Sequence, residues 1–191
     1  SPRTPFFEGV VMDLEEKLIK SNLIYDGRIL QLYNDEVELP GGKRSRREYV
    51  NHSGGCAVLA VDDEGYIYLV EQYRYPYAEV MLEIPAGKRN RDEDPKDCAL
   101  RELEEECGLV TDRADKFLEI YPTVAYSNEH IYVYLAHGLK ATQAHLDEGE
   151  FLNVRRIPFT DALKKVLDME IRDSKTVAAI LKYALVKGFT A

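Results

Sequence analysis

Residues 87–109 read GKRNRDEDPKDCALRELEEECGL, an acidic segment that carries its own helix start and helix stop. Asp94 supplies a side-chain acceptor at the N-cap, and Pro95 follows where a missing N–H costs nothing. Gly108, the residue type best able to take the left-handed conformation, ends the helix. Between them Ala99, Leu100, Leu103 and Cys107 recur at three- and four-residue intervals, which predicts one apolar face packed on a sheet. Glu102, Glu105 and Glu106 then fall on a neighbouring face.

Glu102 and Glu106 stand one turn apart, about 6 Å along the axis, so their carboxylates can converge on a common point. Like charges at that spacing repel, and Glu105 adds to the repulsion. Beside a buried face, where a lysine would relieve the strain, such a cluster points to a bound cation. All-oxygen ligation favours a hard ion, Mg²⁺ or Mn²⁺. A solvated acidic helix face is the competing reading of these residues taken alone.

The spacing reaches beyond the helix. Gly87, five residues, Glu93, seven residues, Arg101-Glu102-Leu103, one residue, Glu105-Glu106, one residue, then Gly108-Leu109 fills every fixed position of the Nudix box. The chain therefore resembles the Nudix hydrolases. Upstream, Gln72-Tyr73-Arg74 followed by Glu83-Ile84-Pro85-Ala86-Gly87 is similar to the ADP-ribose pyrophosphatases of that family. So are Glu15-Glu16-Lys17, the run Val37 to Lys43, and Arg47-Glu48. The likeness extends from about Leu14 to the last helix.

The resemblance implies a division of labour. Glu102, Glu105 and Glu106, with the backbone carbonyl of Ala86, would hold divalent metal. Arg101 would pair with a box glutamate, Gly87 would let the preceding loop turn tightly, and Glu93 would be structural. Glu105, Arg101 and Glu129 would serve catalysis, Glu129 from a mobile loop over the site where it could orient or deprotonate water. Arg47, Arg74 and Glu83 would meet the substrate, Arg47 from a partner subunit. Bland readings stand beside these: a surface salt bridge for Arg47, an edge-strand arginine reaching into water for Arg74, an exposed loop glutamate for Glu129. One departure is plain. Where such enzymes commonly carry Ser-Pro-Gly ahead of the loop acid, this chain has Thr123-Val124-Ala125, which leaves the terminal sugar more open than the hydrolysis.

The activity so implied is Mg²⁺-dependent hydrolysis of ADP-ribose to AMP and ribose 5-phosphate. A UDP- or GDP-hexose is the alternative substrate, and a non-catalytic nucleotide-sugar sensor the reading from another class. A diphosphate repels an incoming water, so such chemistry needs a cation to neutralise it and acidify the nucleophile.

Composition agrees with a cytoplasmic enzyme. The 191 residues, 45% of them hydrophobic, allow one full core and a smaller appendage. No apolar run approaches ~18 residues, and Ser1-Pro2-Arg3-Thr4-Pro5 lacks the apolar segment of a secretory leader, so no membrane partner is expected. A net charge of −9 argues against nucleic acid, Lys43 to Arg47 being one short basic cluster. Cys56, Cys98 and Cys107 fit neither a zinc pattern nor a disulfide framework and read as packed free thiols.

The remaining pattern predicts an α/β fold. Arg28 to Tyr33 and Asp35 to Leu39 read as short strands of an antiparallel sheet, with a turn at Pro40-Gly41-Gly42. Cys56 to Val61 and Tyr66 to Val70, joined by Asp62-Asp63-Glu64-Gly65, read as a buried hairpin. Strands follow near Phe117 to Tyr121 and Ile131 to Ala136. Two helices close the chain, one capped by Thr160 and one by Asp173 or Ser174. This is an α/β/α sandwich with a mixed sheet, plus a small N-terminal antiparallel sheet, as in the family it resembles. The expected division is residues 1–50, a strand region that cannot bury much surface alone and that pairs across a homodimer with exchanged segments, and residues 51–191, the catalytic domain. The thirteen tyrosines, Tyr73, Tyr75, Tyr77 and Tyr126 among them, suit strand and core positions, an interface or a base-stacking wall.

Overall fold

The computed structural model describes residues 13–90, 92–146, 149 and 151–189. The opening Ser1 to Pro5, read above for a leader, lies outside them. The chain divides into two compact units: the part up to His52 together with Ala125–Ser127, and Ser53–Val124 together with the part from Asn128 onward.

The first unit is an antiparallel sheet of β1 (Lys17–Lys20), β2 (Leu23–Asp26), β3 (Leu30–Glu38) and β4 (Arg44–His52). β4 runs along one edge of β3, while β1 and β2 share the other, opposite Glu36 to Glu38 and Gln31 to Tyr33 respectively. Here the sequence reading needs correction: the two short strands expected on either side of Asn34 are one. The Asn34 amide donates to the Asn22 carbonyl at 2.9 Å, and buried Asp35 accepts from Ser21 Oγ and the Asn22 amide, both at 2.9 Å. The link between β1 and β2 therefore carries the ladder past the polar pair instead of ending it. The turn at Pro40 to Gly42 is found where expected, with Gly41 and Gly42 at positive φ. Ala125–Ser127 joins this unit through β4, whose Val50 amide donates to the Tyr126 carbonyl at 2.7 Å.

The second unit opens with β5 (Gly55–Ala60) and continues through β6 (Tyr66–Arg74), β7 (Glu79–Glu83), β8 (Ala86–Lys88), α1 (Pro95–Cys107), β9 (Leu109–Val110), β10 (Arg113–Ile120), β11 (Ile131–His137), β12 (Lys140–Ala141), β13 (Leu152–Pro158), α2 (Phe159–Leu167) and α3 (Ser174–Lys187). A mixed sheet runs β10-β11-β5-β8, with β11 parallel to β5 and the other pairs antiparallel. β13-β6-β7 is a separate antiparallel sheet, and β9 pairs with β12.

The expected hairpin of β5 and β6 is thus not formed. Their turn is present, the Asp62 amide donating to Tyr66 O at 3.0 Å, but only a single bridge, Val61 to Ile67, links them. Both edges of β5 are already occupied, by β11 and β8, so β6 leaves for the second sheet. An uninterrupted apolar run reports burial on both faces and says nothing about which strand lies alongside.

β5 sets the layers. Its Ala57 and Leu59, with Val61 beyond its end, face α2 and α3, while Cys56, Val58 and Ala60 face Cys98, Ala99 and Leu103 of α1. Helices therefore cover both faces of the mixed sheet, an α/β/α sandwich. The three cysteines are free, Cys56 and Cys98 buried and Cys107 half-buried, where burial pushes the Cys107 thiol up to about 12.

Helix boundaries follow their caps, with one exception. Asp94 accepts from the Lys96 amide at 2.8 Å and Gly108 closes α1 at φ 62°. Asp173 caps α3, accepting from the Thr176 amide at 3.0 Å. Thr160, however, does not cap α2, which begins at Phe159 after Pro158 with no side-chain cap. The buried Phe159 ring against Tyr183, and the Phe159 amide on Gly65 O at 3.0 Å, fix that start instead.

Leu59→Ala should lower unfolding free energy by about 3 kcal/mol, because the fully buried side chain is held between layers that cannot collapse around a cavity. Urea melts of the two proteins measure this, and a loss under ~1 kcal/mol would mean the layer assignment around β5 is wrong.

Candidate active site

α1 presses its acidic face against the end of β8. Glu102 and Glu106 are buried and Glu105 is half-buried. Arg101 works between them: Nη1 donates to Glu102 Oε1 and to Glu105 Oε2, each at 2.7 Å, and Nε donates to Glu93 Oε1 at 2.8 Å. Nη2 reaches the Lys88 carbonyl at 3.3 Å. One guanidinium thereby ties strand, loop and helix, and the surrounding carboxylates raise its pKa, Glu93 first. Glu93 is held at about 2, chiefly by Arg101, and its Oε2 also accepts from the Asn90 amide at 2.8 Å.

These contacts refine the charge argument. Arg101 relieves part of the repulsion from which the sequence suggested a cation, meeting Glu93, Glu102 and Glu105 with one guanidinium. Among the described residues no three carboxylate, imidazole or thiol side chains are gathered into a closed metal cage. The donor set nonetheless suits a hard ion. Glu106 Oε2 accepts the Ala86 amide at 3.0 Å, which sets a buried carboxylate beside the Ala86 backbone. Gly87 lies within β8 and takes no positive φ, so its role differs from the tight turn expected of it. A Cβ there would come 2.0 Å from the Glu102 carboxyl carbon, so any larger residue would push that carboxylate away from the strand.

A second cluster adjoins the first. Arg74, at the end of β6, forks onto Glu83 at 2.6 and 2.8 Å. Lys175 of α3 also pairs with Glu83, and reaches Asp173 at 3.1 Å. Glu83 is 2% exposed. Burial opposes its ionisation, but the two cations outweigh it and hold the carboxyl at about 2. The Arg74 guanidinium is raised by Glu83 first, with smaller contributions from Asp173 and from Glu106 of the box, so it stands within electrostatic reach of both clusters.

Glu129, half-buried ahead of β11, lines a cleft of about 410 Å³ with Tyr77, Met81, Arg172 and Asp173. Arg74, Glu83, Ala86, Arg101, Glu102, Glu105, Glu106 and Glu129 all belong to the second compact unit. Arg47 belongs to the other, on β4, where its Nε donates to Glu16 Oε2 at 2.8 Å. Lys175 and Asp173 escaped sequence reasoning. They lie about ninety residues beyond Glu83, and the only local signal, a helix cap, accounts for Asp173 alone.

Comparison with known proteins places the chain in a family. Residues 51–180 match the NUDIX domain and residues 16–50 the nucleoside diphosphate sugar hydrolase N-terminal domain. The chain belongs to the Nudix family. An ADP-ribose pyrophosphatase of Bacillus subtilis (strain 168) is 44% identical over 169 residues, 87% of this chain and 91% of that protein. A methanol dehydrogenase activator of Bacillus methanolicus is 43% identical over 168 residues, again 87% of this chain and 91% of that protein. The crystal structure of an ADP compounds hydrolase superposes with a TM-score of 0.81 over 94% of this chain and 100% of that one; at 18% identity the likeness speaks for the fold.

The Glu83 cluster predicts a pH signature. A carboxyl lowered from an ordinary 4.5 to about 2 contributes stability that is fully present above pH 4.5 and is lost as pH falls through 2, on the order of 3 kcal/mol. Glu83→Gln should start less stable at pH 7, with Lys175 left buried beside a neutral amide, and should lose less than the parent between pH 5 and 2. Urea melts across that range test it; parallel curves would refute the assignment.

Proposed function

We propose that this protein hydrolyses the diphosphate of ADP-ribose, giving AMP and ribose 5-phosphate, with Mg²⁺ as cofactor. The observation that carries the reading is the intact box: Glu102, Glu105 and Glu106 on one helix, set against Ala86 and Gly87 and organised by Arg101. The name carried by the 44% identical relative supports ADP-ribose as substrate. The nucleoside diphosphate sugar hydrolase match over residues 16–50 favours the second reading, a UDP- or GDP-hexose, because the box is indifferent to what lies beyond the diphosphate.

Glu102, Glu105, Glu106 and the Ala86 carbonyl would hold the metal. When bound, it neutralises the diphosphate and acidifies the attacking water. Arg101 keeps the box carboxylates in register. Arg74, oriented by Glu83, faces the anion, and Glu129 accepts a proton from the nucleophile or aligns it. Three metal carboxylates have no use in a sensor that does not cut.

Residues 1–50 form the dimerisation region and residues 51–191 the catalytic domain. In the N-terminal unit Leu18, Leu23 and Ile24 on the strands and Ile29 in the bend before β3 are exposed, apolar surface that a second copy would cover. In that homodimer Arg47 exchanges Glu16 for the nucleotide half of the partner's substrate. Among the described residues no helix is long and apolar enough to cross a membrane. A cytoplasmic enzyme acting on a small nucleotide sugar, with neither nucleic acid nor membrane as partner, is the setting proposed.

Phosphate release through an added phosphatase, measured on ADP-ribose, UDP-glucose, GDP-mannose, NADH and diadenosine polyphosphates with Mg²⁺ or EDTA, should favour ADP-ribose and vanish with EDTA. A hexose nucleotide as best substrate would select the second reading, and silence across the panel would sink both. Glu106→Gln should fold normally and lose more than ten-fold in kcat; retention above about a tenth, a loss below ~1.4 kcal/mol, would remove Glu106 from the metal set. Light scattering at micromolar concentration should give twice the chain mass, and a monomer would overturn the role given to residues 1–50.

A further inference from the structure

We infer that the cleft beside Glu129 is a sugar subsite, in which Glu79 and Arg172 read the hydroxyls of the substrate's terminal sugar and so determine specificity. The inference rests on the diphosphate-hydrolase reading above. At about 410 Å³ the cleft is within the range of small-ligand sites, roughly 300–1,000 Å³. Its lining has two characters. Tyr77, Met81 and Pro122 give an apolar wall, suited to the C–H face of a sugar ring. The same lining carries Arg172, whose Nη2 pairs with Glu79 Oε1, the guanidinium and carboxylate both partly exposed.

That pair is matched to a diol. A carboxylate only accepts hydrogen bonds and a guanidinium only donates, whereas each sugar hydroxyl does both. Two adjacent hydroxyls can therefore bond to the two side chains together. A phosphate gains little in the same place, because the guanidinium of Arg172 on the cleft lining is already held by the Glu79 carboxylate. A neutral polyol is the chemistry that remains.

Position supports the assignment. Asp173 lines the cleft and pairs with Lys175, which with Arg74 holds Glu83, and Arg74 lies within electrostatic reach of Glu106. The cleft thus opens beside the cations proposed to face the diphosphate. Its rim is backbone-specified: Ala78, between Tyr77 and Glu79, takes φ 52°, a left-handed conformation uncommon away from glycine, and it sets the direction in which β7 begins.

The test compares two ligands that differ only beyond the diphosphate, ADP-ribose and the methyl ester of ADP, in Mg²⁺ buffer. Arg172→Ala and Glu79→Gln should each raise KM for ADP-ribose at least ten-fold and leave KM for methyl-ADP within two-fold, with melting temperatures unchanged because the pair is solvent-accessible. An equal rise for both ligands would place the adenosine half in the cleft, and no change for either would make the pair a surface salt bridge; both outcomes overturn the inference. Should the parent protein cleave neither ligand, calorimetric Kd values on the same proteins replace KM. A selective loss of ADP-ribose binding would then uphold the subsite while the hydrolase reading falls, and loss of selectivity would end both.

Discussion

A buried carboxylate cannot stand alone, and Glu83 shows what one requires. Its ionised form survives at 2% exposure only because Arg74 from β6 and Lys175 from α3 both point at it. Two successive strands, β6 and β7, are thereby tied to α3 some ninety residues further on, and the direction of Arg74 is a consequence. Such clusters seldom add net stability compared with a well-packed apolar core. What this one provides is geometry: the guanidinium is already turned and already desolvated on one side. The same contact locates the start of α3, where Asp173 caps the helix and Thr176 Oγ1 accepts the amide of Ile84, the residue after Glu83.

The box glutamates are treated differently. Glu83 has two cations within bonding distance, whereas Glu102 and Glu105 share a single nitrogen of Arg101, and the bond seen at Glu106 comes from a neutral amide. The first arrangement is closed. The second keeps its carboxylates aligned on one face of α1, oxygen donors of the kind a hard divalent ion takes. Glycine at position 87 belongs to the same logic, since a side chain there would take the space into which the Glu102 carboxylate projects.

How much of this was legible depended on range. α1 was legible throughout, because its cap, its stop and its apolar face are local and Asp94, Pro95 and Gly108 act on their immediate neighbours. α3 was legible for the same reason. Strand partnership was not: β5 and β6 read as a hairpin because four turn residues join them, yet the edges of β5 are claimed by β8 and by β11, seventy-odd residues on. Thr160 offered a plausible hydroxyl, but the buried Phe159 ring outweighed it. Of the proposed site, the residues inside the box are read from spacing, and Arg74 and Glu83 from motif. Lys175, Glu79 and Arg172 carry no pattern of their own and become visible only when β7 and α3 are placed side by side.

That division has a chemical meaning. The groups proposed to hold the metal sit on one helix and the strand before it, so their mutual geometry survives changes elsewhere, while Arg74 and Glu129 join them from β6 and the segment ahead of β11. The groups proposed to recognise the sugar come from the start of β7 and the turn before α3, two elements meeting through Arg172 and Glu79. An ion pair between separate elements can be exchanged without disturbing the caps and ladders that hold either one. Two relatives with nearly equal identity to this chain bear different functional names, and a fold that keeps cutting and reading on separate elements is the kind in which that divergence is cheap. Substrate identity here is therefore to be sought in the residues about the cleft rather than in the box, whose chemistry is the same for every nucleoside diphosphate that can reach it.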